Sequence, residues 1–401
     1  MRSFFTKQAV IFCGAAVFAV ALLIAVTVSM PGSRLFSVRH QVASLFFADD
    51  ITPEEIQRDY HARRLKVLIV PGHDNIDGGT SYKGKFEAAY TARIGKYLFE
   101  YLQKNPNIDV LTVRNESGYT KEFADYFLRE KSEIASFIDR SRGYFKQLSA
   151  SNAVQKAPPP MAHIRANGRI TNILYGINRW ANDNDVDIVL HLHLNDTPRK
   201  SQGVVYDGYS MYIPDPSFPN YLPSRKIAEA LSENFGRYWA ASNLHLEKDT
   251  IIEDSDLIAV GSYGSLRSAS ILLEYGYIYE PRFQTEVMLK EAAFRTYQGL
   301  LSYFGDSKKL AGESAWFSPY EWWKPLSYGV LRNNDVAAFQ SALSLLGFYP
   351  PRGMSLRDCP VSGNFKECTK NALIAFQDAH SIAERGEFGA ETREKLNVLF
   401  K

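Results

Sequence analysis

Cysteine is scarce in this chain, with three in 401 residues, too few for a disulfide scaffold or for a zinc module built on four thiolates. A basic excess is missing as well. Lys and Arg number 46 against 44 Asp and Glu, a formal balance of +2, so a phosphate backbone is not the main partner and no nucleic acid is expected. Apolar residues make up 45% of the chain and charged ones 22%, enough burial to offset chain ordering, which excludes wholesale disorder. At roughly 100 to 200 residues per domain, the length implies two or three domains.

Long apolar runs are absent with one exception. No charge occurs between Gln8 and Ser33, and residues 9–30 are mostly Ala, Val, Leu, Ile and Phe. At about 1.5 Å rise per residue, such a helix spans a hydrocarbon layer of roughly 30 Å. It reads as a transmembrane anchor. A cleavable signal segment is the alternative, but its apolar stretch normally runs about 7 to 15 residues and no A-x-A-like site follows here. Either reading exports the remainder, as a single-pass membrane protein of the cell envelope or, after cleavage, as a secreted one. Arg2 and Lys7 before the span and Arg34 and Arg39 after it do not orient it. Residues 31–64 read as a stalk, with the turn Pro31-Gly32-Ser33 and a short polar helix over 52–65 for which Thr52 is the N-cap ahead of Pro53.

The folded region opens with the apolar run 66–70, a strand buried on both faces, and a turn at Pro71-Gly72. Ala88, Ile94, Leu98 and Leu102 lie near helical spacing, and a second apolar strand at 109–113 follows the break at Asn105-Pro106, which completes a β-α-β unit. Residues 117–148 are charged and periodic and are followed by Ala157-Pro158-Pro159-Pro160, a stretch that no helix or strand interior accepts. Residues from about 116 to 170 therefore read as an insertion, either a lid over a cleft or a spacer. A helix at 172–182 and strands at 187–194 and 269–274 follow. The fold class is α/β, a mostly parallel sheet flanked by helices. It spans 66–304, with an aromatic linker over 305–326 and a small helical domain over 327–401. In that tail, Val336-Ala-Ala-Phe-Gln-Ser-Ala342 echoes Leu373-Ile-Ala-Phe-Gln-Asp-Ala379, and Gly363-Asn-Phe-Lys-Glu-Cys-Thr369 echoes Gly386-Glu-Phe-Gly-Ala-Glu-Thr392. Thr369 and Thr392 are placed to cap the helices that follow.

Three candidate metal ligands stand apart in the sequence: His73 after the first strand, Glu87 at a helix start, and His193 near the end of a later strand. In open α/β sheets the carboxyl ends of the strands are where ligands gather. Two imidazoles and one carboxylate leave a fourth zinc position open to water, the pattern of a hydrolytic site rather than a structural one. Zn2+ brings the pKa of its water to about 7 and polarises a carbonyl, as amide hydrolysis requires. Glu274, at the end of an apolar strand, is the candidate proton carrier. His191 shares a strand face with His193 by alternation and competes as a ligand; spacing does not choose between them. Taken singly, Glu87 could be a helix N-terminal acid and Glu274 half of a buried ion pair with Arg179.

Val67-Leu-Ile-Val-Pro-Gly-His73, Gly84-Lys-Phe-Glu87, Asp187-Ile-Val-Leu-His-Leu-His-Leu-Asn195 and Leu272-Leu-Glu-Tyr-Gly276 resemble, in order, the signature segments of the zinc-dependent N-acetylmuramoyl-L-alanine amidases of the Amidase_3 type. The resemblance implies that His73, Glu87 and His193 hold zinc, that Glu274 is the catalytic glutamate, and that His191 and Asn195 line the site. The chain departs from the family pattern at Val70, at Asp74-Asn75 and at Ala88. The tail resembles the peptidoglycan-binding domain 1 family, a small three-helix bundle, through Phe339-Gln340, Leu346-Gly347-Phe348-Tyr349, Phe376-Gln377 and the two Gly-x-Phe turns. Outside the cytoplasm, Cys359 and Cys368 would close a loop of about ten residues and contribute about 2 to 3 kcal/mol; two unpaired thiols are the alternative. The function this implies is a cell-wall hydrolase that cuts the amide between N-acetylmuramic acid and L-alanine, with peptidoglycan as substrate and anchor and the N-terminal helix in the membrane. Two other readings are a catalytically inactive peptidoglycan-binding scaffold or activator, and a zinc peptidase acting on the stem peptide.

Overall fold

The computed structural model describes residues 51–152, 166–196, 206–262, 264–306 and 320–400. The proposed anchor at 9–30 lies outside the described residues, and among those described no helix is long and apolar enough to cross a membrane. The elements run α1 (Pro53–Ala62), β1 (Leu65–Pro71), β2 (Ser81–Tyr82), β3 (Lys85–Phe86), α2 (Glu87–Leu102), β4 (Ile108–Thr112), β5 (Arg114–Asn115), β6 (Gly118–Tyr119), α3 (Lys121–Arg129), α4 (Lys131–Ala150), α5 (Gly168–Asp183), β7 (Ile188–Asn195), β8 (Ser210–Pro214), α6 (Tyr221–Gly236), β9 (Ile251–Asp254), β10 (Ala269–Tyr277) and α7 (Glu286–Tyr303). Three tail helices follow: α8 (Asn334–Leu345), α9 (Glu367–Ala379) and α10 (Ala390–Leu399).

The central sheet has the order β4-β1-β7-β10-β8-β9. Strands β4, β1, β7 and β10 are mutually parallel, whereas β8 runs antiparallel to β10 and pairs in parallel with β9. The expected mostly parallel sheet is thus extended by a two-strand edge of reversed sense. Side-chain alternation decides what each face buries. Leu65, Val67 and Ile69 of β1, with Ile188, Leu190, Leu192 and Leu194 of β7, face the core shared with α2, α6 and α7. Leu68, Val70 and Val189 face the other way, against α3, α4 and α5. That second face also carries the odd-numbered His191 and His193. The described part of the insertion therefore packs into a layer, with Phe123, Tyr126, Ile134 and Ile138 buried.

Helix α1, read from sequence as part of a stalk, is docked instead. Thr52 and Glu55 form a reciprocal capping box, and the inner face buries Ile56 and Tyr60. Tyr60 stacks on Phe304 with ring centroids 4.1 Å apart and donates to Asp306 at 2.6 Å.

In the tail the sequence repeat proves to be a hydrogen-bonding unit. Gln340 Oε1 accepts from the N–H groups of Ser362 and Gly363, both at 2.9 Å, while Nε2 donates to Thr369 Oγ1 at 2.8 Å. Gln377 repeats this: Oε1 accepts from Gly386 N–H at 2.7 Å and Nε2 donates to Thr392 Oγ1 at 2.8 Å. The two threonines, expected as N-caps, sit inside the first turns of α9 and α10 and receive the glutamines of the preceding helices. The Glu384 carboxylate caps α10 in their place, accepting from the N–H groups of Glu391 and Thr392. Cys359 and Cys368 are disulfide-bonded. The tail rests on the α/β region, where Asn334 Oδ1 accepts from Val287 N–H at 3.2 Å and Arg357 pairs with Asp207.

Candidate metal centre

Local geometry at the carboxyl end of β1 places the first candidate. His73 has a left-handed backbone, φ +61, a conformation uncommon for a side chain with a Cβ, and its imidazole lies beside that of His193, ring centroids 5.2 Å apart. The loop to Glu87 is tied by Glu87 N–H to Thr80 O at 2.8 Å and Ala88 N–H to Gly78 O at 3.0 Å. Glu87 is therefore the first residue of α2, and its carboxylate projects toward β7.

Three sequence-predicted residues meet there. Glu87 Oε2 lies 3.0 Å from His73 Nε2, and Glu87 Oε1 lies 3.0 Å from His193 Nδ1. The same Oε1 accepts from Leu194 N–H at 3.0 Å. One donor atom from each of the three residues falls within 4.8 Å of the others, close enough for a single ion to take all three. The cradle leaves no room for larger residues. A Cβ on Gly72 would stand 2.3 Å from His193 Cε1, and one on Gly79 would stand 2.5 Å from His73 Cδ2 and 2.8 Å from Glu87 Oε2. Two imidazoles, one buried carboxylate and this cradle fit a zinc ion.

Electrostatics agree with a cation-binding pocket. Burial alone would raise the Glu87 carboxyl, but the His73 and His193 imidazoles hold it below the usual carboxylate range. Burial pushes the His193 imidazole down. His73 is pushed down by burial too, yet the Glu87 carboxylate overrides this and raises it.

Glu274 is the Cα partner of His193 across β10 and β7, so the fourth predicted residue is the next one along the same row. It is buried, and its Oε2 has no described hydrogen-bond partner. Burial, then the charges of Glu87 and Glu247, raises its carboxyl well above the usual range. The ion pair with Arg179 considered from sequence does not form, since Arg179 pairs with Glu130 and Asp183. His191 lies two residues below His193 on the same face, buried, with neither ring nitrogen bonded to a described residue. Burial followed by the His193 charge pushes it down to about 3. It is not in the three-residue cluster. Asn195 sits at the end of β7, where it donates to Glu247 at 3.0 Å.

Sequence reasoning missed two supports of the cluster. Buried Arg114 donates from Nε to Pro71 O at 3.0 Å and from Nη2 to Gly72 O at 2.6 Å, Ala88 O at 2.9 Å and Thr91 Oγ1 at 2.9 Å. One guanidinium thereby ties the segment before His73 to the first turn of α2 that carries Glu87. Asp74 is the second support. It accepts from Ile76 and Asp77 N–H, from Tyr119 Oη at 2.8 Å and from Arg169 at 2.7 Å. The insertion thus braces the loop beside His73. Against the burial that would raise it, the Arg169 guanidinium keeps Asp74 well below the carboxylate range.

Comparison with known proteins bears on this arrangement. A profile described as N-acetylmuramoyl-L-alanine amidase matches residues 67–296, and one described as putative peptidoglycan binding domain matches residues 332–396. The N-acetylmuramoyl-L-alanine amidase CwlL of Bacillus licheniformis is 32% identical over 72 residues, 18% of this chain and 19% of that protein. The match thus spans about a fifth of that relative's length. Among solved structures, an N-acetylmuramoyl-L-alanine amidase from Clostridium difficile 630 aligns over 61% of this chain and 98% of its own at 18% identity, with a TM-score of 0.40. The catalytic domain of CwlV from Bacillus (Paenibacillus) polymyxa var. colistinus aligns over 60% and 98% at 12% identity, with a TM-score of 0.38.

Proposed function

Because the chain belongs to the N-acetylmuramoyl-L-alanine amidase family, we propose that it is a cell-wall hydrolase, cleaving the amide between N-acetylmuramic acid and the L-alanine of peptidoglycan stem peptides. The observation that carries this reading is the convergence of His73, Glu87 and His193 on one point, with Glu274 beside His193.

In this reading His73, Glu87 and His193 hold a zinc ion. When bound, the ion supplies Lewis acidity, which acidifies water and polarises the amide carbonyl. Glu274 takes the proton of the attacking water and passes it to the leaving nitrogen; its raised proton affinity suits a group that must hold a proton between the two events. Arg114 and the glycine cradle keep the ligands in place, since groups that orient metal ligands typically carry about 10- to 100-fold in affinity. The region over 327–401 holds the enzyme on peptidoglycan, and residues 9–30 tether it to the membrane with the hydrolase outside the cytoplasm.

The test is product analysis with the full-length chain on purified peptidoglycan. The proposal predicts peptides with a free L-alanine amino group and muramic acid with a free lactyl carboxyl, formed with zinc and abolished by chelator. Internally trimmed peptides would make the protein a stem-peptide peptidase. Retention on the wall without any release would make it a binding scaffold.

A further inference from the structure

One buried carboxylate outside the metal cluster organises the same edge of the sheet. Glu247 ends the short 3-10 turn His245–Glu247 and has no solvent exposure. It accepts from Asn195 Nδ2 at 3.0 Å, Tyr212 Oη at 2.7 Å and Tyr277 Oη at 3.4 Å. All three donors are neutral, and no ion pair to Glu247 forms among the described residues. A carboxylate buried without a cation is costly, so packing alone does not account for it.

The three donors come from three strands. Asn195 closes β7 two residues after His193, Tyr212 lies on β8 opposite Leu272, and Tyr277 closes β10 opposite Asn195. Residues 274 and 277 would face opposite sides of a regular strand. The register shifts between them, with Gly276 at φ +149, and this irregularity returns Tyr277 to the face of Glu274. Glu247 is thereby set against the row that holds His193 and Glu274.

A carboxylate only accepts hydrogen bonds, so Asn195 must turn its NH2 group to Glu247. Its carbonyl oxygen Oδ1 then points away. That oxygen has no described hydrogen-bond partner and is not among the atoms sealed from solvent. We infer that Glu247 is a positioning residue: it fixes the Asn195 amide so that Oδ1 accepts a hydrogen bond from the N–H of the scissile amide. The inference rests on the amidase reading and adds a substrate requirement, a secondary amide bearing a hydrogen on nitrogen. In the reaction the oxygen of water bonds to the carbonyl carbon, the C–N bond breaks, and the proton released from water reaches nitrogen through Glu274. Nitrogen can accept that proton only with its lone pair toward Glu274. An acceptor holding the N–H on the other side enforces that geometry.

The experiment uses the zinc-loaded full-length chain and a soluble N-acetylmuramoyl dipeptide, with kcat and KM measured separately and zinc content and melting temperature recorded for each variant. Asn195→Ala removes the acceptor, and Glu247→Leu removes the carboxylate that fixes the Asn195 amide. Each is expected to lower kcat about 10- to 100-fold with KM changed far less, the scale of one oriented hydrogen bond, at unchanged zinc content. The exchange N195D/E247Q restores the pair with its polarity reversed and still offers a carboxylate oxygen to substrate. It is expected to recover to within about fivefold of the wild-type kcat, as reversal of a two-way hydrogen bond allows, a rescue that general loosening of the fold does not produce. Should Glu247→Leu not fold, Asn195→Ala and the exchange decide. Wild-type kcat in Asn195→Ala, or an exchange no better than the single variants, overturns the inference while leaving the amidase reading standing. A wild-type chain that holds zinc and leaves the dipeptide amide intact overturns both.

Discussion

Replacing Gly72 by alanine tests the cradle at its tightest point. The added Cβ would lie 2.3 Å from His193 Cε1 and 2.6 Å from both ring nitrogens. Ordinary contact begins near 3.4 Å, so the imidazole must retreat by roughly 1 Å. Zinc–nitrogen bonds are about 2.0 to 2.1 Å long and tolerate about 0.2 Å, which makes a 1 Å retreat equivalent to losing that ligand. Gly72 does not have a left-handed backbone, so alanine is not strained for that reason, and the damage is confined to the ring. We expect zinc affinity, measured by competition with a chromophoric chelator, to fall at least about 100-fold, equivalent to about 2.7 kcal/mol. The metal-free protein should lose no more than about 1 to 3 kcal/mol from overpacking. Gly143→Ala, in α4 with open space around the new Cβ, is the control and should leave zinc affinity unchanged. Wild-type zinc affinity in Gly72→Ala would refute the assignment of His193 as a ligand.

Three further outcomes follow from the same geometry. Glu274→Gln should keep zinc at full stoichiometry while kcat falls by about 100- to 10,000-fold, the usual range for a proton-transfer residue; full activity would remove Glu274 from the reaction. Arg114→Lys should weaken zinc binding by about 10- to 100-fold in the same competition assay, because one ammonium cannot reproduce the planar fork that reaches Pro71, Gly72, Ala88 and Thr91; unchanged affinity would contradict its bracing role. Glu384 offers a pH test. Burial raises its carboxyl, but the N–H groups of Thr392 and Glu391 outweigh burial and lower it. A carboxylate depressed in the folded state stabilises above its ordinary pKa of about 4.3 and loses that contribution as pH falls through the depressed value. The stability deficit of Glu384→Gln in denaturant melts should be full at pH 7 and should vanish in acid; a deficit that grows in acid would reverse the sign.

Much of the framework was legible because short-range pattern and burial agree. The runs 67–70 of β1, 188–190 of β7 and 271–273 of β10 are continuously apolar since both sheet faces are covered there. His73, Glu87, His193 and Glu274 were found through the order of their segments, since no local rule brings residues so distant in sequence together. Arg114 left no trace in the sequence because it bonds to backbone carbonyls and one threonine hydroxyl, groups that no residue pattern advertises. Glu247 stayed hidden for a related reason: its partners on β7, β8 and β10 become neighbours only through the sheet order and the irregularity before Tyr277. The polar outer face of α1 disguised a docked helix as a stalk, since Ile56 and Tyr60 alone carry its burial. In the tail the repeat was visible, but its threonines were assigned to capping. A Gln-to-Thr bond spanning 29 residues in one copy and 15 in the other has no signature distinct from a cap.

The central claim is that one divalent ion is shared by His73, Glu87 and His193. Anomalous diffraction at the zinc edge from crystals of the zinc-loaded full-length chain tests it most directly. The account predicts a single peak bonded to both imidazoles and to the Glu87 carboxylate at about 2.0 to 2.2 Å, with an open side beside Glu274. A zinc-loaded crystal whose peak lies elsewhere, or contacts only one of the two imidazoles, would contradict it.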